Sequence, residues 1–299
     1  MPAPGRFGAV ICAMVTPFDS EGRLDLDGAV QLARWLVENG NDGLVLAGTT
    51  GEATTLSDAE KLELWRAVRE AVSVPILAGS GTASTAHSVE LTKAAADAGA
   101  DAVLVVTPYY NRPSQAGIEA HFRAIAAASP LPVIAYDIPK RTGREVATST
   151  LVRLATDGVL AGVKDATGAP AATASLIAQA PSPFEVYSGD DSLTLPLLAV
   201  GAVGVISVAS HWAGPEMSEM VAAFAKGDTE GAIALNRRLL ESWAFQGSDA
   251  APNPVPTKAM LRSLGLQVGE CRLPMGPTPA GLVERAKQVW AGLHDSQAR

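Results

Sequence analysis

Eight short apolar runs recur along this chain, beginning near Val10, Gly43, Pro75, Asp101, Pro132, Val159, Phe184 and Gly204, with amphipathic stretches between them. The spacing, roughly 20 to 33 residues, is the length of one strand plus one crossover helix, which predicts strands that run parallel. Parallel strands are covered on both faces and so read as continuous apolar runs, as these do. Eight successive units suit a closed (β/α)8 barrel, the TIM barrel, which commonly occupies ~250 residues as one domain. The intervening stretches carry helix signals of their own. Ser57 with Glu60 makes a capping box, followed by Leu62, Trp65, Val68 and Val72 on one face. Ile118, Phe122 and Ile125 repeat that spacing, and turns at Asn39-Gly40, Asp97-Ala98-Gly99 and Thr156-Asp157-Gly158 should end helices.

From about Gly227 the pattern changes to helices alone, predicted over 229–244, 256–264 and 278–293, with a Pro-rich connector at Ala251-Pro252-Asn253-Pro254. The predicted organisation is a barrel over residues 1–226 and a C-terminal helical extension over 227–299 packed on it. A doubly wound open sheet is the structural alternative. No GxGxxG follows the first run and no GxxxxGK occurs, so nucleotide binding has little support.

Composition narrows the function. With 47% hydrophobic and 18% charged residues the chain has ample material for a large core, and a net charge of -8 argues against a nucleic-acid or anionic-membrane partner. Cys12 and Cys271 lie far apart without CxxC spacing, which suits a reducing compartment, and the four histidines form no HxxxH or His/Cys group. No metal or cofactor is expected. Residues 1–6 lack the apolar centre of a signal peptide and no apolar run approaches the ~20 residues of a membrane span, so a cytoplasmic location is expected.

In a parallel barrel the chemistry gathers at the C-terminal ends of the strands. There the second run exits through Gly48-Thr49-Thr50-Gly51-Glu52, the fourth through Thr107-Pro108-Tyr109-Tyr110, and the fifth through Tyr136-Asp137, with Arg141 soon after. The sixth closes on Lys164 and the seventh on Ser188-Gly189-Asp190-Asp191. Taken singly, each has an ordinary structural explanation: a strand exit, a capping turn, rim packing, a solvated arginine. Taken together, a lysine, tyrosines, paired threonines and an arginine at the ends of separate strands form a toolkit for imine chemistry on a carboxylate-bearing carbonyl compound.

These segments, GTTGE at 48–52, TPYYNRPS at 107–114, YDIPKRTG at 136–143, GVKDATG at 162–168, SGDD at 188–191 and GVISV at 204–208, appear in an order that resembles the dihydrodipicolinate synthase and N-acetylneuraminate lyase superfamily of class I aldolases. The resemblance runs from Ile11 to about Leu293. It implies that Lys164 forms a Schiff base with pyruvate, and that Tyr136 passes protons to and from the carbonyl. Thr49 would link Tyr136 to Tyr110, which would reach into the neighbouring subunit's site of a homotetramer, a dimer of dimers. Thr50 and adjacent amides would hold the pyruvate carboxylate, Ile206 and Gly189 would line the pocket, and Arg141 would bind the carboxylate of aspartate semialdehyde. The paired threonines of GTTGE and the arginine of RTG favour condensation of pyruvate with aspartate semialdehyde in lysine biosynthesis. A pyruvate-dependent aldolase of sugar acids is the alternative, and a noncatalytic keto-acid sensor is the alternative of another class. Asp137 departs from the asparagine that many members carry, and strand alternation should point it away from the pocket.

Overall fold

Eight parallel strands, each paired with the next and the eighth with the first, close into a barrel in the computed structural model, which describes residues 5–295. The strands are β1 (Val10–Ala13), β2 (Gly43–Leu46), β3 (Ile76–Gly79), β4 (Ala102–Val106), β5 (Val133–Asp137), β6 (Gly162–Asp165), β7 (Glu185–Ser188) and β8 (Gly204–Ser207). Between them run α1 (Leu26–Glu38), α2 (Asp58–Ala71), α3 (Thr85–Asp97), α4 (Gln115–Ala127), α5 (Pro139–Thr142), α6 (Thr148–Thr156), α7 (Pro170–Gln179) and α8 (Thr194–Ala199). Four helices follow the last strand: α9 (Ser210–Ala225), α10 (Thr229–Phe245), α11 (Val255–Ser263) and α12 (Leu282–His294). The (β/α)8 architecture read from the spacing of the apolar runs is the one observed. Residues 1–4, part of the segment tested for a signal peptide, lie outside the described residues.

Strand alternation separates two cores. Residues pointing inward, among them Ile11, Val45, Leu77, Leu104, Ile134, Tyr136, Tyr187 and Ile206, fill the barrel, whereas Cys12, Leu44, Ala78, Val103, Ala135 and Val163 point outward into the helix layer. A third apolar cluster joins β1 and β8 to α8–α12 through Val10, Val205, Trp212, Met217, Trp243, Met260 and Val289. The C-terminal helices therefore share a core with the barrel wall.

Capping chemistry places the helices. Ser57 accepts from the Glu60 amide while Glu60 accepts from the Ser57 amide, the reciprocal box predicted for α2. On its inner face Leu64 is buried in place of the predicted Leu62, beside Trp65 and Val68, and Val72 becomes the C-cap. Two boundaries differ from the sequence reading. The sixth strand begins at Gly162, not near Val159, because Gly158, at φ 68°, lets the chain leave α6 while the Val159 amide still bonds back to the Leu154 carbonyl. The last helix begins at Leu282, not Thr278. Thr278 precedes Pro279, which disfavours helix at that position, and its amide and hydroxyl both donate to Glu270.

One buried ion pair fastens the extension to the barrel mouth. Lys258 of α11 lies 2.7 Å from Glu52, which leaves the GTTGE turn at φ 55°, and both side chains are about 1% exposed. The ammonium also donates to the Glu270 carbonyl and sits 4.1 Å above the Phe18 ring. Arg272, whose guanidinium carbon lies 4.2 Å from the Phe18 ring centroid, donates its amide to Glu52 and its guanidinium to the Thr55 carbonyl and Glu60. Lys258→Met should destabilise the protein by about 3–5 kcal/mol, because the Glu52 carboxylate is left buried without its counter-charge. Adding Glu52→Gln should restore most of the loss, as read from denaturant midpoints of the single and double variants; a Lys258→Met midpoint equal to the parent's would contradict this.

Candidate active site

At the C-terminal end of the barrel lies a cavity of about 260 Å³. Thr49, Tyr136 and Arg141 line it, with Tyr109, Asn253 and Met275. Lys164 is not itself among the lining residues and lies against the ring of Tyr136. The two residues are register partners in the β5–β6 pair, so both side chains enter the barrel interior. The Lys164 ammonium nitrogen stands 4.5 Å from the Tyr136 ring centroid, and Lys164 is only 5% exposed.

Burial changes both groups. Desolvation pushes the Lys164 amine down to about 8, with the Arg141 charge adding to the fall and the buried Asp191 and Cys12 opposing it. Roughly a tenth of the amine is then neutral at pH 7, against well under a thousandth for an ordinary lysine. Desolvation pushes the Tyr136 phenol up to about 12, although Arg141 and a hydrogen bond from Thr49 work against it. The phenol therefore stays protonated at neutral pH and is available as a proton donor.

The loops hold these groups by local geometry. In the GTTGE turn the Glu52 amide bonds to the Thr49 carbonyl and the Ala53 amide to the Gly48 carbonyl, while Thr16 donates to the Gly51 carbonyl at 2.6 Å. Thr50 is buried within this turn and receives a hydrogen bond from Asn253 at 2.9 Å. Gly189 packs against Lys164: a Cβ there would fall 3.0 Å from Lys164 Cγ and 2.9 Å from Ala166 Cβ, so a larger residue would displace the lysine stem. Ile206 is buried in the same inward core. Asp191, fully desolvated and raised in pKa chiefly for that reason, accepts the amides of Val208 and Ala209 and so fixes the loop after β8.

Tyr110 is placed elsewhere. It is 94% exposed at φ 71°, and among the described residues it is Tyr109 that lines the cavity of its own chain. Asp137 faces outward, as alternation required. It accepts the Val146 amide at 3.0 Å, and burial, with Asp165 and Glu145 nearby, pushes its carboxyl up to about 7. The histidines are scattered: His211 accepts the Val15 amide, His121 bonds to Thr85, His87 to Asp58 and His294 to the Trp290 carbonyl.

Sequence reasoning missed Asn253, which it read only as part of a connector, and the apolar wall supplied by Pro274 and Met275. Neither stands in a pattern of spacing that points to the barrel mouth.

The profile of the dihydrodipicolinate synthetase family matches residues 6–289. The chain belongs to this family. It is 51% identical over 272 residues to the 4-hydroxy-tetrahydrodipicolinate synthase of Moorella thermoacetica, covering 90% of this chain and 92% of that protein. Among solved structures it is similar to the dihydrodipicolinate synthase of Bacillus anthracis, with a TM-score of 0.92 and 42% identity over 96% of this chain and 98% of that one. It is equally similar to the enzyme from Cyanidioschyzon merolae solved with lysine bound, with a TM-score of 0.93 and 42% identity over 97% and 99% of the two chains. The family's (β/α)8 barrel is thus the fold of this chain.

An amine acts as a nucleophile only when neutral, so the assignment of Lys164 as the group that meets pyruvate carries a pH dependence. Because the Lys164 pKa lies at about 8, the reactive fraction grows as pH rises toward that value and saturates above it. Exchange of the pyruvate methyl protons into heavy water, followed by NMR without a second substrate, should quicken by about tenfold per pH unit below 8 and level off above it. A profile still climbing at pH 10 would mean that the amine is not desolvated.

Proposed function

We propose that the chain is a 4-hydroxy-tetrahydrodipicolinate synthase, a carbon–oxygen lyase of lysine (diaminopimelate) biosynthesis, in which Lys164 is the Schiff-base residue for pyruvate and L-aspartate 4-semialdehyde is the second substrate. The observation that carries the residue assignment is the desolvated Lys164 amine held against the face of Tyr136, which lines the cavity together with Thr49. The sugar-acid aldolase and the sensor alternatives lose ground, since relatives at about half identity bear the synthase name.

In this reading the neutral Lys164 amine attacks the pyruvate carbonyl, and Tyr136 supplies the proton that lets water leave, giving a protonated imine. The imine draws electrons from the methyl carbon, which loses a proton to form an enamine. That carbon then attacks the aldehyde carbon of the semialdehyde, whose oxygen takes up a proton. The substrate's own amine displaces Lys164 and closes the ring, returning the free lysine. Thr50, with neighbouring amides, is the seat of the pyruvate carboxylate, and Ile206 and Gly189 bound the space around it. Arg141 is exposed at the cavity rim, where a guanidinium can take a second carboxylate in two-point fashion.

We further propose a homotetramer in the cytoplasm, with Tyr110 completing the neighbouring subunit's Tyr136–Thr49 relay. Its exposed ring on a left-handed backbone is the supporting feature, because such strain persists where surrounding structure holds it. No helix among the described residues is long and apolar enough to cross a membrane. The division into a barrel over 1–226 and an extension over 227–299 is likewise proposed as one working unit, on the strength of the shared core and the Lys258–Glu52 pair.

The purified protein should condense pyruvate with aspartate semialdehyde and leave N-acetylneuraminate and 2-keto-3-deoxygluconate uncleaved. In Arg141→Ala, losing a charge-assisted contact should lower kcat/KM for the aldehyde by roughly tenfold or more while pyruvate binding survives. Full activity of the variant at limiting aldehyde, or cleavage of a sugar acid by the parent, would overturn the substrate assignment.

A further inference from the structure

Asn253 sits between α10 and α11, in the Pro-rich connector of the helical extension, yet its side chain lines the same cavity as Thr49, Tyr136 and Arg141. Its amide nitrogen donates to Thr50 Oγ1 at 2.9 Å, and its amide oxygen accepts from the Thr257 hydroxyl at 3.0 Å. Thr257 lies within the first turn of α11 and is fully buried. The two bonds define one direction of donation. With its oxygen engaged by Thr257, the amide presents N–H to Thr50. A hydroxyl has one proton and two lone pairs, so a Thr50 oxygen that accepts from Asn253 keeps its own proton for another partner. Thr50 is 3% exposed, which removes water as a competitor for that proton and raises the cost of pointing it the wrong way.

We propose that Asn253 is a positioning residue for pyruvate: by donating to Thr50 it turns the Thr50 hydroxyl proton toward the substrate carboxylate, with Thr257 fixing the amide's orientation. This rests on the assignment of Thr50 to that carboxylate. It gives the helical extension a direct part in substrate binding, relayed from α11 through one amide to the GTTGE turn. A neutral amide is what the position needs. A carboxylate of the same shape would accept the Thr50 proton, turning it away from the substrate, and would place a negative charge beside the substrate's own.

The test compares the full-length parent with Asn253→Asp, Asn253→Ala and Thr257→Val. For each, the fraction of protein converted to the reduced pyruvate adduct by borohydride is measured across pyruvate concentration, together with KM for both substrates, kcat and melting temperature. Half-saturation by pyruvate should rise by tenfold or more in Asn253→Asp, the loss expected for a charge-assisted bond replaced by repulsion, and less in Asn253→Ala and Thr257→Val. KM for the aldehyde should stay within about twofold of the parent's, since Arg141 is untouched. Lower melting temperature and kcat with unchanged pyruvate half-saturation would reduce Asn253 to scaffold and overturn the proposal. So would unchanged pyruvate half-saturation in all soluble variants; should Asn253→Asp not fold, Asn253→Ala and Thr257→Val decide by the same criterion. A parent that forms no adduct at any pyruvate concentration would instead overturn the Schiff-base reading on which the inference stands.

Discussion

An amine inside a closed barrel is held there against its solvation. Lys164 resolves this in part by losing its proton, which desolvation favours, and in part through the carboxylate of Asp191, which pulls its pKa back up. The balance leaves the amine near the point where neutral and charged forms exchange close to physiological pH, the condition a nucleophilic lysine requires. The surrounding structure serves this balance. The strand register sets Lys164 beside Tyr136, Gly189 leaves room for its stem, and the hydrogen bonds from the Val208 and Ala209 amides hold Asp191 in place.

The C-terminal helices are bound into the same arrangement. Lys258 and Arg272 converge on Glu52 and Phe18, so the turn that carries Thr49 and Thr50 is clamped from outside the barrel as well as by Thr16 within it. A buried ion pair contributes little net stability but is costly to break, which suits a contact that fixes one geometry for a turn. Asn253 extends the clamp by donating to Thr50 in that turn.

Much of this was legible in the sequence because its signals are local. A strand followed by a helix repeats within one unit, a capping box spans four residues, and Lys164, Tyr136, Gly189 and the GTTGE turn each stand at a strand end that the apolar runs mark out. The start of β6 and the start of α12 were displaced because a left-handed glycine and a residue before proline ended or delayed regular structure that the apolar pattern alone would have continued. Asn253 was not legible, since its partner Thr50 lies 203 residues away and a lone asparagine among prolines reads as a turn. Tyr109 and Tyr110 are adjacent, and only the backbone at Tyr110, with φ 71°, decides which ring faces the cavity and which faces outward.

The most direct measurement is the identity of the residue that carries pyruvate. The protein is incubated with pyruvate, reduced with borohydride, digested, and its peptides mapped by mass spectrometry. The expected result is one reduced pyruvate per chain, on Lys164 alone, with activity lost in proportion. Full inactivation with Lys164 unmodified, or an adduct carried by another lysine such as Lys61 at the cavity wall, would contradict the central claim.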